Sequence, residues 1–177
     1  MPMTRSIPLC PILGALVALV LGGPALAEAP YDGFMGRVPD CVVSAASRED
    51  ARACIGIGTQ ACIEGAPDGQ TTVGMMQCAQ AEADAWDALL NAEYQRARES
   101  ARQGDAAEGR PEFQNAAQTL LEAQRAWIAF RDANCAMEYA RWGSGSMRMT
   151  AGASCLLDMT AERTLDLRAY AGGFGDR

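Results

Sequence analysis

Six cysteines in an exported chain without histidine limit this sequence more than any other feature. Residues 1–27 carry the three parts of a secretory leader. Arg5 supplies the positive end, Ile7 to Leu21 form an apolar run, and Ala25-Leu26-Ala27 is a cleavage site. The run is too short and too rich in Gly and Pro to span a bilayer. Cys10 leaves with the leader, and six of the seven cysteines remain: Cys41, Cys54, Cys62, Cys78, Cys135 and Cys155. An even count outside the reducing cytosol reads as a disulfide framework. No C-x-x-C pair exists and histidine is absent, so the cysteines are not read as zinc ligands, and no metal or cofactor is expected. Spacing alone leaves the connectivity open. Sequential pairing is preferred, with Cys135–Cys155 the firmest pair because Cys41, Cys54, Cys62 and Cys78 can exchange partners within one segment.

Cleavage leaves about 150 of the 177 residues, the length of one domain with its own core. Every basic residue is arginine. The whole chain carries a net charge of −7, and loss of Arg5 makes it one unit more negative. An acidic domain without a basic stripe argues against nucleic acid and against anionic membrane surfaces; the charge is read first as serving solubility, and it would also attract a cationic protein partner.

Residues 28–72 hold Pro30, Pro39, Pro67 and several glycines, and they lack long apolar runs. They read as an irregular, cysteine-rich cap with one or two short helices. Ser47 is its clearest helix start, with Asp50 three residues on. Residues 73–171 read as three long helices in an antiparallel bundle, an all-α fold. In the first helix Met75, Met76, Ala79, Ala83, Trp86, Leu90, Tyr94 and Ala97 recur at helical spacing from Val73 to about Gln103. Thr71 or Thr72 caps it and Gly104 ends it. The second begins at Pro111, runs to about Trp142, and turns Leu120, Gln124, Trp127, Ile128, Arg131 and Cys135 inward. Gly143 to Ser154 is then a loop, constrained by Cys135–Cys155. The third helix begins between Ala151 and Ser154 and faces inward with Leu156, Met159, Arg163 and Leu167.

Polar side chains sit on or beside these stripes: Asp87, Asn91, Tyr94, Gln124, Arg131, Asp132 and Arg163. They are expected to form an internal network that fixes helix register, or else a polar pocket for a small ligand. Trp86 and Trp127 read as core. Trp142 reads as a cover over the Cys135–Cys155 bridge, or as an exposed anchor. Together with Ser144, Ser146 and Arg148 it makes the loop a candidate surface for a partner. Catalysis is not expected. The chain has neither the commonest general base nor an amine nucleophile, and the thiols are read as oxidised. The carboxylate pairs Asp84 with Asp87 and Glu82 with Glu93 read as solvated side chains on a helix surface.

Three segments together resemble a known family. They are Asp87-Ala88-Leu89-Leu90-Asn91-Ala92-Glu93-Tyr94, the run from Ala123 to Cys135 (AQRAWIAFRDANC), and the run from Cys155 to Arg163 (CLLDMTAER). Their order and spacing are similar to those of the small exported bacterial proteins named for the N-terminal domain of the lysozyme inhibitor LprI. The resemblance covers about Met75 to Leu167. It implies an α-helical, disulfide-containing domain of the cell envelope, periplasmic or secreted, and lysozyme inhibition as the activity. Two other classes stand beside it: an envelope interaction or scaffold module without inhibitory activity, and a carrier of a small ligand around Asn91, Gln124 and Arg131.

Overall fold

The computed structural model describes residues 30–174; the expected leader and its cleavage site lie outside them. All regular elements among the described residues are helical. After a 3-10 turn at Asp32–Phe34 come three short helices: α1 (Arg37–Ser44), α2 (Arg48–Arg52) and α3 (Ile57–Gly65). Three long ones follow: α4 (Thr72–Ala107), α5 (Ala116–Arg141) and α6 (Met147–Tyr170). The long helices pack as an up-down-up bundle in which α4 and α6 share the most extensive contact.

The cap is more regular than its composition suggests, with three short helices where one or two were expected. Ser47 starts α2 with a reciprocal capping box. Its hydroxyl accepts from the Asp50 amide, and the Asp50 carboxylate accepts from the Ser47 amide. The disulfides join Cys41 to Cys54, Cys62 to Cys78 and Cys135 to Cys155, which are the sequential pairs. The first closes α1 onto the turn after α2, and the second fastens α3 to the first turns of α4. Val38, Val42, Ala51 and Cys54 of the cap share one apolar cluster with Ala83 and Trp86 of α4 and Leu157, Ala161 and Leu165 of α6. Cap and bundle therefore fold over a common core. Ion pairs from Arg48 and Arg52 to Glu162, and from Arg48 to Asp166, tie α2 to the outer face of α6.

Helix boundaries differ from the sequence expectation at three places, each for a local reason. The first helix runs through Gly104 to Ala107, because the Glu108 amide still donates to the Gly104 carbonyl. The second starts at Ala116 rather than Pro111, and Pro111–Phe113 is a separate 3-10 turn. Its cap comes from a distance: both oxygens of Asp105, on the last turn of α4, accept from the amides of Ala116 and Ala117. The third starts at Met147, so only Trp142 to Ser146 connect α5 to α6. The expected loop from Gly143 to Ser154 is in large part the first two turns of α6. Gly143 ends α5 at φ 54°, a conformation that costs side chains energy. At the other end, Gly74 lets α4 start directly against the Asp68 carbonyl, which lies 2.0 Å from where a Cβ would sit.

The inner face of α6 also differs. Ala153, Leu157, Thr160, Ala161, Thr164 and Leu165 are buried, while Leu156, Met159 and Arg163 are only half-buried. α6 is wedged between the cap, α4 and α5, so its deepest stripe is the one facing α4.

Candidate functional site

Three hollows lie in a row along the seam between α4 and α5, over α6. The largest, a cavity of about 570 Å³, lies at the end nearest the α5–α6 turn. Met76, Tyr139, Met149, Ala153 and Leu156 give it an apolar wall. Gly152 and Ala153 open this space: a Cβ on Gly152 would sit 3.4 Å from the Tyr139 ring. Gln80 and Leu156 also line the next hollow, with Asp84, Asp87 and Arg131. Asp87 and Arg131 in turn line a third, of about 150 Å³. The seam thus passes from apolar to charged along its length. Burial holds the Asp84 carboxyl above the usual range, helped by the charges of Asp87 and Asp32.

Asp87, Asn91, Tyr94, Gln124 and Arg131 all line the third hollow. The Asn91 amide donates to Asp87 at 2.9 Å, and Arg131 approaches Asp87 at 3.9 Å. Arg131 also pairs with Asp132 at 2.9 Å, although Asp132 borders the large cavity instead. Arg163 joins from α6 by donating to the Gln124 side-chain oxygen at 2.9 Å, and Gln124 is buried. Trp127, read from sequence as core, is half-buried and packs at the edge of the cluster formed by Leu90, Ala97, Leu120 and Leu167. The guanidiniums of Arg131 and Arg163 stack on its ring, at 5.1 and 5.9 Å from the centroid. Arg131, one turn along α5, and Arg163, from α6, keep that indole at a polar boundary. Ile128, also read as inward, is exposed.

At the α5–α6 turn, Trp142 is 48% exposed. The Cys135–Cys155 bridge is flanked by Met159, whose sulfur lies 3.7 Å from Cys135 and 3.8 Å from Cys155. Ser144 and Ser146 are exposed. Arg148, on the first turn of α6, is committed to the turn itself. It donates to the Gly143 carbonyl and stacks on Tyr139. Trp142, Met147, Met149 and Tyr139 give this end of the bundle an exposed apolar surface.

Two buried acids were misread as solvated. Glu82 has no solvent exposure. It accepts from the amides of Gly56 (2.7 Å) and Thr59 (2.6 Å) at the start of α3, and from the Trp86 indole N–H (3.1 Å). Glu93 is buried and paired with Arg96 at 2.8 Å. The signal for Glu82 is its phase, three residues after Ala79 and four before Trp86, inside the buried stripe. What the sequence does not show is that the cap supplies the amides. Thr160 and Thr164 are buried too, and the Thr164 hydroxyl is satisfied by the Thr160 carbonyl.

Fold and site together define a small helical module stapled by three disulfides, the kind of domain found outside the reducing cytosol. The chain belongs to the lysozyme inhibitor LprI family, whose model matches residues 62–167. The match begins at Cys62 and so takes in the Cys62–Cys78 staple as well as the bundle. The chain is also similar to an uncharacterised protein of Rhizobium meliloti (strain 1021). The two are 32% identical over 107 residues, which cover 58% of this chain and 77% of that one. No solved structure matches the chain.

Proposed function

We propose that this protein is exported to the periplasm or the medium and there inhibits lysozyme by binding it. Family membership over most of the bundle is the observation that carries this reading. The charge of the chain agrees with it. Animal-type lysozymes are cationic, and a domain with a net charge of −7 and no lysine is steered toward them. The cleft of such an enzyme holds a carboxylic acid and a carboxylate. A rigid protrusion that brings hydroxyl donors and one aromatic anchor fits such a cleft.

The α5–α6 turn has those properties. The Cys135–Cys155 bridge and the Arg148 contacts hold it rigid. Trp142 projects half-exposed beside Ser144 and Ser146. Arg148 supports the turn and does not enter the cleft. The acidic stretch around Asp84, Asp87 and Asp132 lies further along the seam, where it faces the basic rim of the enzyme.

The test is the lysis of bacterial cell walls by a cationic lysozyme, with the oxidised mature protein added. Inhibition is expected at micromolar excess in low salt, and Trp142→Ala should weaken it about tenfold or more, the size of effect of an interface anchor. Lysis that proceeds undisturbed at micromolar excess and low salt removes the proposal.

A further inference from the structure

The outer side of α5 is apolar as well as the inner. Ala123, Ala126, Phe130, Ala133, Met137 and Ala140 are all exposed, Phe130 at 61% and Met137 at 58%. They recur at alternating spacings of three and four residues, the repeat of a coiled-coil seam about 26 Å long. A helix apolar on both sides is ordinarily buried on both. α5 turns its other side to α4 and α6, so this seam has no cover within the described chain.

The seam is self-complementary in one arrangement. With two copies of α5 antiparallel about a two-fold axis between Arg131 and Asp132, Phe130 stands level with Ala133 of the partner subunit. Met137 then stands level with Ala126 of the partner subunit, and Ala123 with Ala140 of the partner subunit. Each bulky side chain meets an alanine, the pairing that lets helices approach closely. The charges follow the same symmetry. α5 carries Glu122, Asp132 and Glu138 against Arg125, Arg131 and Arg141, and so has no net charge in a chain of −7. In this register Glu122 is level with Arg141 of the partner subunit and Arg125 with Glu138 of the partner subunit, while Arg131 faces inward to Asp87 and takes no part. A parallel, in-register pair sets Phe130 on Phe130 and every charge beside its own sign. A cationic partner finds no net negative charge on this face.

We infer that the outer face of α5 binds a second copy of this chain, forming a two-fold antiparallel dimer through the seam from Ala123 to Ala140. The interface is isologous and therefore closes on itself. The α5–α6 turn proposed for lysozyme lies beyond the end of the seam, so the two proposals stand or fall separately.

Sedimentation velocity on the oxidised mature protein tests this. The mass of two chains is expected in the micromolar to submillimolar range. Ala133→Arg, on an exposed helical position, should halve the mass and leave the helical circular dichroism unchanged. Ala133→Phe sets phenylalanine against phenylalanine and should also dissociate the pair. The double variant Phe130→Ala with Ala133→Phe exchanges knob and hole on both copies and should restore it. A single-chain mass throughout that range overturns the proposal. So does a dimer indifferent to Ala133→Arg, or a double variant no more dimeric than Ala133→Phe alone.

Discussion

Glu82 shows how much a single buried side chain decides in this fold. Its two oxygens hold the first turn of α3 and the Trp86 indole at once, so the cap is fixed to the bundle by hydrogen bonds to one carboxylate as well as by the Cys62–Cys78 disulfide. Replacing it with alanine leaves two amides and an indole N–H buried without partners, and is expected to lower stability by about 3 kcal/mol or more. Urea unfolding measures this, and a loss below about 1 kcal/mol would show that water replaces the carboxylate. Glu162 acts in the opposite setting, at the surface. Its hydrogen bond from Arg52 holds the carboxyl below the ordinary range, with the Arg48 charge adding to it, against a smaller push upward from burial. A depressed carboxyl contributes stability above its unfolded value and loses it as pH falls through the folded one. Asp84 and Asp158 have the reverse sign, since burial raises both and their protonation favours the folded chain. On acidification from neutral pH, stability should therefore rise slightly, then fall below the usual carboxylate range. Glu162→Gln should flatten the fall and reduce the rise only in part, because the Glu162 charge helps to raise Asp158 but not Asp84. Thermal midpoints across the acid range separate the two.

Among the elements, the stripes were more legible than the ends. The buried side of α4 follows from the spacing of Ala79, Ala83, Trp86, Leu90 and Ala97, because a period of 3.6 residues is a property of the sequence itself. Helix ends depend on partners brought from elsewhere. Asp105 caps α5 from the last turn of α4, eleven residues before Ala116 and across a 3-10 turn, which no local pattern encodes. Gly104 looks like a stop, yet its carbonyl is used by Glu108 and the helix passes through it. A Cβ at Gly104 meets nothing within 4 Å, so Gly104→Ala should stabilise by about 1 kcal/mol, the propensity difference in a helix interior. Asp105→Ala should cost about 1 kcal/mol through the lost cap. Chemical denaturation of the two variants reads both, and a destabilising Gly104→Ala would mean that the helix ends where the sequence suggested. The candidate site divides in the same way. Asp87, Asn91, Tyr94, Gln124 and Arg131 meet in one hollow because they share faces of two antiparallel helices. The turn shrank to Trp142–Ser146 because α6 begins two turns before the residues that carry its apolar repeat.

The molecule as a whole is a rigid scaffold with two exposed apolar surfaces, the α5–α6 end and the outer side of α5. Three short-range disulfides close the cap, join cap to bundle, and lock the turn, so each staple has its own structural task. Opening Cys135–Cys155 by paired serine substitution should cost about 3 kcal/mol on the chain-entropy model. It should also loosen the turn while the cap stays folded, visible as faster amide exchange confined to residues near the turn. Reading the fold class needed only the cysteine count and three periodic stretches. Reading the function needed the family, since a bundle face carries no motif for its partner. The most direct test is calorimetric titration of a cationic lysozyme with the oxidised mature protein at low and at physiological salt. A saturable complex is predicted, weaker at the higher salt and weaker again with Trp142→Ala. The absence of any binding heat or mass shift at low salt, with protein shown to hold all three disulfides, would contradict it.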